Sequence, residues 1–423
     1  MISAKRSIIT NTTAQLLGKA INTGSSLLVT ILIARNFGAQ YYGDFTKAFI
    51  TATLFFIGID FGLNAITVRR MQDSQDEQRE FRNAFGVRVV LAALFFILLS
   101  LFVLIIPTVS ENGYSTKVKM ATLIFGLTFF EQASFTTANA IFQRRLKYSK
   151  SAIASSLGSL VILAAVMVVI ALNGDVRAVA LAHLVGSITM MSVALSFARA
   201  EIGSISPRFN FGKMKGLFSE AFPVGGALLI NMLMIRIGTI LLAFLRSSSE
   251  VGFYGLAFRA FDVVLVFPTF VMNSAYPIMV ERARHGTEQL ARIVKKVALL
   301  LFLTSLVALV VLFFASPLLE LIRAEFIESQ IPLKILSLWI PIFFLSSLMQ
   351  WTLVSQKKEN ILIPIYLLAL VINLIANLVM IPRFGMLAAA LNIGISEFIV
   401  LFLTSAVVLQ SFRVAKKFQP DYA

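Results

Sequence analysis

The chain of 423 residues has no cysteine, two histidines and only 21 acidic residues, and 14% of it is charged. Without cysteine there is no disulfide framework, no thiolate nucleophile and no sulfur-ligated metal. Two histidines are too few for a histidine metal centre. A soluble domain carries about 25% charged residues, so the shortage of charge excludes an ordinary soluble enzyme. A disordered chain would be poor in apolar residues; here 58% are hydrophobic and the mean hydropathy is +0.86. A transmembrane barrel would show short alternating segments, whereas these apolar runs are long and continuous. The Gly-x-x-x-x-Gly-Lys loop of nucleotide hydrolases is missing too. No connection is long enough for an enzyme domain, which counts against a membrane polymerase or ligase.

What is present is a series of apolar segments. The hydropathy pattern predicts an all-α polytopic membrane protein, with helices at 9–34, 41–69, 86–108, 118–142, 151–172, 176–199, 217–245, 251–280, 291–315, 332–355, 361–381 and 385–411. Each is long enough for a hydrocarbon core of about 30 Å at about 1.5 Å per residue. The first, behind Lys5 and Arg6, lacks the short apolar region and small-residue cleavage site of a signal peptide and reads as a span.

Lys and Arg number 37, giving a net charge of +16. In a soluble chain that excess would suggest a nucleic-acid partner; in a membrane chain it reports topology. The termini and even-numbered connections hold 25 bases, Arg88 counted among them, against 8 in the odd-numbered ones. Cytoplasmic connections collect Lys and Arg, so both termini are expected in the cytoplasm and no nucleic-acid partner is implied. Four bases remain inside spans: Lys19, Lys47, Arg236 and Arg259.

The halves are related. Tyr42-Gly43-x-x-x-Lys47-Ala48-Phe49 recurs 212 residues on as Tyr254-Gly255-x-x-x-Arg259-Ala260-Phe261. Gln143-Arg144-Arg145 recurs 213 residues on as Gln356-Lys357-Lys358, and Ala180-Leu181 recurs 210 residues on as Ala390-Leu391. Six spans per half is an even number, so the repeat is parallel, an arrangement that places a transport site between halves. The expected division is an N-terminal six-helix lobe at 1–199, a cytoplasmic connector at 200–216 and a C-terminal six-helix lobe at 217–423. Phe209, Phe211 and Leu217 among Lys213 and Lys215 fit either an amphipathic surface helix or a solvated linker.

A charge at mid-bilayer costs about 2.5–3.5 kcal/mol on insertion scales, so such groups line a cavity or pair. Lys19, Lys47, Arg236 and Arg259 are candidate ligands of an anionic substrate, since Lys and Arg are the usual phosphate donors. Asn11, Gln15, Lys19, Asn22 and Ser26 share one helical stripe, which makes Gln15 and Asn22 candidate cavity-lining groups. The alternative is local pairing of Asp44 with Lys47 and of Asp262 with Arg259, each three residues apart. Asp60, Glu131, Asp262 and Glu397 are candidates for carrying a coupling ion, or counter-ions to the bases. Asp60 and Glu397 have no obvious helical partner. His183 reads as a packed, hydrogen-bonded residue. Pro268, Pro277, Pro341 and Pro364 should kink their helices. Tyr41, Tyr42, Tyr254 and Trp351 fit an interfacial aromatic belt.

Two stretches carry a family resemblance. One is Arg35-Asn36-Phe37-Gly38 followed by Tyr42-Gly43-x-Phe45. The other is Glu250-Val251-Gly252-x-Tyr254-Gly255-x-Ala257-x-Arg259-x-x-Asp262, with Pro268 and Tyr276-Pro277 after it. With twelve spans in two halves, the chain resembles the Wzx-type polysaccharide flippases of the multidrug/oligosaccharidyl-lipid/polysaccharide exporter superfamily. The resemblance implies a V-shaped bundle of two six-helix lobes with a cationic central cavity, in the bacterial inner membrane. It implies transfer of an undecaprenyl-pyrophosphate-linked oligosaccharide, such as an O-antigen unit, from the cytoplasmic to the periplasmic leaflet. A proton or sodium gradient would drive it, with no other cofactor. Membrane lipids are expected partners, and other polysaccharide-assembly membrane proteins are possible ones. A multidrug exporter of the same superfamily is the alternative; its cationic substrates would favour an acidic cavity.

Overall fold

The computed structural model describes residues 2–60, 62–108 and 114–417, with side chains from Ala14 onward except at 57, 65, 211, 213, 214, 218, 222–224, 227, 228 and 414–417. The side chains of Lys5, Arg6, Asn11, Phe211, Lys213, Lys416 and Lys417 therefore lie outside what is described. The elements are α1 (Ile2–Asp60), α2 (Leu63–Asp73), α3 (Glu77–Ile105), α4 (Thr116–Arg144), α5 (Tyr148–Ala171), α6 (Val176–Ile202) and α7 (Phe211–Leu245). They continue as α8 (Ser248–Val264), α9 (Val266–Arg284), α10 (Thr287–Ala315), α11 (Gln330–Leu338), α12 (Ile340–Ser355) and α13 (Leu362–Lys417), with short 3₁₀ turns at Ser316–Leu321, Ala324–Ser329 and Glu359–Ile361.

Local chemistry accounts for many boundaries. Asp76, Ser115 and Asp175 accept hydrogen bonds from the first free backbone N–H groups of α3, α4 and α6, satisfying donors the helix cannot. In α1 a single residue, Gly38 (φ 85°), interrupts the helical backbone, and in α13 Gly385 (φ 54°) does the same. Each long helix thus carries two of the expected spans. The eighth span breaks between α8 and α9, three residues before Pro268, and the tenth bends by 40° between α11 and α12, beside Pro341. Both breaks follow from the N–H that proline lacks. The second span stops at Asp60 and resumes as α2 beyond Gly62 (φ 74°). Read this way, the described residues carry twelve membrane-crossing elements. Large apolar side chains such as Leu104, Ile105, Phe314 and Leu321 stand 75–81% exposed, as lipid-facing residues do and water-facing ones do not.

The repeat is visible in the backbone. Leu146 (φ 54°) and Lys357 (φ 57°), at the turns after the fourth and tenth spans, are 211 residues apart. Asn173 (φ 49°) and Gly385 (φ 54°), before the sixth and twelfth, are 212 apart. Positive φ is uncommon outside glycine, so recurrence at offsets that differ by one residue marks equivalent turns.

The chain divides into two compact units, residues 1–229 with 247–252 and residues 230–246 with 253–423. In the first, α4, α5 and α6 pack side by side, with α1 against α4 and α5 and with α3 against α4. Met71, Phe81, Phe85, Ile141, Phe142 and several alanines form one of its apolar centres. The first turn of α8 belongs to this unit. A Cβ on Gly43 would lie 1.6 Å from the Ser248 carbonyl oxygen and one on Gly252 2.2 Å from that of Ala39, so only glycine lets these backbones touch. In the second unit α12 packs on α9, α10 and α13, and α11 on α10 and α13. Residues 200–216 comprise the end of α6, an irregular stretch at 203–210 and the start of α7. Arg208 N–H donates to the Arg82 carbonyl at 2.9 Å, and Leu217 is buried.

Candidate functional site: buried bases and carboxylates

In the first unit, Lys47 is 0% exposed and stands on the same buried helix face as Thr51, whose hydroxyl bonds the Lys47 carbonyl at 2.7 Å and lies 2.5 Å from Tyr114 Oη. One turn earlier, Asp44 Oδ1 accepts a 2.5 Å hydrogen bond from Ser248 Oγ. Lys47 reaches no aqueous surface in this conformation. Tyr42 and Tyr254 are 4% and 1% exposed and are packed inside their units, so neither belongs to an interfacial belt; their one-sided helical setting beside Gly43 and Gly255 turns them inward. Tyr41 is partly buried and bonds the Gly174 carbonyl at 2.9 Å.

Arg88 is the main departure from expectation. It is no loop residue: α3 begins at Glu77, which places Arg88 three turns inside the helix, 0% exposed. Its guanidinium donates to Asp60 Oδ1 at 2.9 Å and to Thr137 Oγ1 at 3.2 Å. Asp60 thus has a partner, on another helix. A sequence signal existed. Phe81, Ala84, Phe85, Arg88, Leu91 and Ala92 are all buried at helical spacing, so Arg88 interrupts an apolar stripe. Glu131 of α4 is 6% exposed, and among the described residues no basic group faces it.

In the second unit, Arg236 of α7 donates to Asp262 Oδ2 of α8 at 2.9 Å, and its guanidinium lies 5.0 Å from the Phe258 ring centroid. The partner of Asp262 is thus a base on the neighbouring helix. Their side chains are 28% and 23% exposed. A guanidinium has five donors, so this pair leaves Arg236 able to meet a further anion. Arg259, one turn before Asp262, is partly buried. Glu397 of α13 is 3% exposed and accepts from Gln350 Nε2 at 3.5 Å, which also donates to Ser346 Oγ at 2.9 Å. Among the described residues no base faces Glu397.

A buried asparagine chain lies in the same unit. Asn373 Nδ2 donates to the Met234 carbonyl at 2.8 Å, Asn377 to the Asn373 carbonyl at 2.8 Å, and Asn392 to Asn377 Oδ1 at 3.2 Å. It ties α7 to both arms of α13. The i, i+4 spacing of Asn373 and Asn377 in an apolar span is the signal that could have disclosed it.

Gln15 and Lys19 are exposed on α1, while Asn22 is partly buried and bonds Ser155 and Ser159 of α5, each at 2.9 Å. Asn22 therefore serves as helix glue. His183 bonds the Val179 carbonyl at 2.9 Å among Phe45, Phe49 and Phe125, the packed setting expected of it. On the face with the even-numbered connections, Arg144 and Arg145 pair with Glu77. Arg145, Lys147 and Lys150 pair with Glu201.

Twelve apolar crossings in two repeat-related halves, with bases and carboxylates inside the spans, define a multi-pass membrane protein. Residues 8–283 match the model of the family described as polysaccharide biosynthesis protein, and the chain belongs to that family. No curated protein sequence matches the chain significantly. Among solved structures, the chain is similar to lipid II flippase MurJ in an inward closed conformation (14% identity, 96% of this chain and 89% of that one, TM-score 0.77). It is similar to an inward-facing multidrug resistance MATE family transporter of the MOP superfamily (11%, 95% and 96%, 0.76). A MOP superfamily transporter from Pyrococcus furiosus, whose binding pocket is described as reversed in polarity, also matches (12%, 97% and 96%, 0.66). The fold is that of the multidrug/oligosaccharidyl-lipid/polysaccharide superfamily.

Proposed function

We propose that the chain moves an anionic lipid-linked oligosaccharide, an undecaprenyl-pyrophosphate glycan such as an O-antigen unit, from the cytoplasmic to the outer leaflet of the bacterial inner membrane. The observation that carries this is Arg236: a guanidinium inside a span, part exposed, fixed by Asp262 and Phe258, with donors to spare. A guanidinium held in place by a carboxylate and an aromatic face is prepared for a pyrophosphate. The family description supports a polysaccharide cargo. Lys19, exposed on the first span, and Arg259, one turn from Asp262, supply further positive charge in membrane segments. A cationic drug would gain nothing from these groups.

Coupling to a proton or sodium gradient is part of the same proposal. Asp60 and Asp262 are counter-ions to Arg88 and Arg236. Among the described residues no base faces Glu131 or Glu397, so of the four carboxylates these two are the candidates to exchange an ion. Replacing both Arg236 and Arg259 by Gln abolishes export of surface polysaccharide while the protein still inserts and accumulates. Export at the wild-type level by that double variant refutes the cationic path. Glu131→Gln or Glu397→Gln, assayed in vesicles with the proton and sodium gradients collapsed separately, removes the dependence on one gradient; retained dependence in both variants refutes the assignment.

A further inference from the structure

A cavity of about 330 Å³ opens in the first unit between the break at Gly38, the first turn of α4 and the start of α6. Phe37 and Tyr41 form one wall. Gly38, by breaking the helix between them, leaves the two rings stacked with centroids 4.3 Å apart and planes 15° apart. Asp44 forms the base, with Oδ1 bonded to Ser248. Asn173, in the left-handed conformation, and Asp175 close the opposite side, and exposed Lys117 stands at the rim.

The lining is both aromatic and hydrogen-bonding, and its charges nearly cancel. Asp175 is neutralised by Arg177, whose guanidinium lies 2.6 Å from Oδ2, and Lys117 opposes Asp44. A phosphate finds no net positive field here, and an apolar ligand would strand the carboxylate and amide. A ring with apolar C–H faces and a rim of hydroxyls suits both parts of the wall: C–H groups against the aromatic faces, hydroxyls donating to the carboxylate and amide oxygens. The volume lies at the lower end of small-ligand pockets, about 300–1,000 Å³, which suits one or two such rings. We propose that this cavity is a sugar-ring subsite that holds the carried glycan on the face opposite the Glu77–Glu201 ion network, which the charge asymmetry places outside the cytoplasm. The inference rests on the flippase reading for its ligand.

The test uses the full-length protein in lipid nanodiscs, with methyl glycosides of galactose, N-acetylglucosamine and rhamnose as probes at millimolar concentration. Saturation-transfer NMR reads binding. At least one glycoside shows transfer to its ring protons. Phe37→Ala and Asn173→Gly, the latter compatible with the positive φ, each lower that transfer at least fivefold, while Glu288→Ala in the first turn of α10, which is no part of the cavity lining, does not. Should Phe37→Ala fail to fold, Asn173→Gly decides alone, since an exposed turn residue replaced by glycine leaves the backbone intact. In cells the same variants slow polysaccharide export at least threefold. No transfer to wild-type protein for any probe, or transfer unchanged in both variants, overturns the subsite while wild-type export leaves the flippase reading standing. Transfer lost with export unchanged means the cavity takes free sugar rather than the carried glycan, and overturns the proposal as well. Export that does not depend on the protein at all refutes the flippase reading itself.

Discussion

The Arg88–Asp60 pair makes an asymmetric prediction. Arg88 is 0% exposed, whereas the Asp60 side chain is 33% exposed, and the charged atoms are 2.9 Å apart. At an effective dielectric near 20, unit charges at that distance attract by about 6 kcal/mol. Water reaching one third of Asp60 screens part of this, so about 3 kcal/mol of coupling remains, at the low end of the cost of breaking a buried pair. Asp60→Asn leaves a buried guanidinium with no counter-charge and should destabilise by about 3 kcal/mol. Arg88→Met leaves a carboxylate that can hydrate and fills most of the volume, so it should cost only about 1–2 kcal/mol. The double variant removes both charges and should lie within about 1 kcal/mol of wild type. Reversible unfolding in mixed detergent micelles, followed by circular dichroism, measures all four proteins. Additive single effects, or an Arg88→Met variant weaker than Asp60→Asn, would show that the pair is not the buried contact described. Polysaccharide export by the double variant then separates structure from transport. A stable but inactive protein assigns Asp60 to ion movement, and a stable active one assigns it to counter-ion duty.

Other predictions follow from closer contacts. Gly43→Ala drives a methyl group into the Ser248 carbonyl, which cannot yield without moving the first turn of α8; a loss of at least about 3 kcal/mol, or failure to accumulate in the membrane, is expected on immunoblots and in unfolding. Asn22→Ala removes both hydrogen bonds to α5 and should cost about 1–2 kcal/mol with export reduced little, whereas a cavity ligand would lose export without losing stability. Asp175 caps α6, and the bond from Arg177 holds its carboxyl below the ordinary range. Its contribution is therefore present above about pH 4 and lost as pH falls through the lower folded-state value. Asp175→Ala should cost about 1 kcal/mol at pH 7, and the gap from wild type should close at low pH in the same unfolding assay.

Much of the fold is legible in the residues because membrane crossing imposes a length and an apolarity that few segments meet by chance. The breaks at Pro268 and Pro341 are legible because a missing N–H acts locally, but the kinks expected at Pro277 and Pro364 are not breaks: Pro277 lies inside unbroken α9 and Pro364 in the first turn of α13, where its N–H has no partner to lose. Charge placement was less so. Arg88 sits two residues inside a segment whose boundary is blurred by Glu77, Arg79, Glu80 and Arg82, and a count of loop charges absorbs it. Pairing across helices is a further gap. Spacing along one helix suggested Asp262 with Arg259, but the bonded partner, Arg236, is 26 residues away, and only packing of α7 on α8 brings it near. Asn373 and Asn377 are hard to read from the sequence because amides carry no charge, although burying them unbonded would cost as surely.

The single-residue turns at Gly38 and Gly385 bear on how the chain enters a bilayer. Each joins two spans through a connection of a few residues, so only Arg35, Asn36 and Gln40 at the first and Arg383 at the second have to be carried across before the second span follows the first. Spans one and two, and spans eleven and twelve, can partition as hairpins in which each helical arm satisfies its own backbone bonds. A glycosylation site or epitope spliced in at either glycine would have to be translocated on its own and would delay the pair. The same tag in the connection between Pro107 and Ser115, ahead of the fourth span, would not.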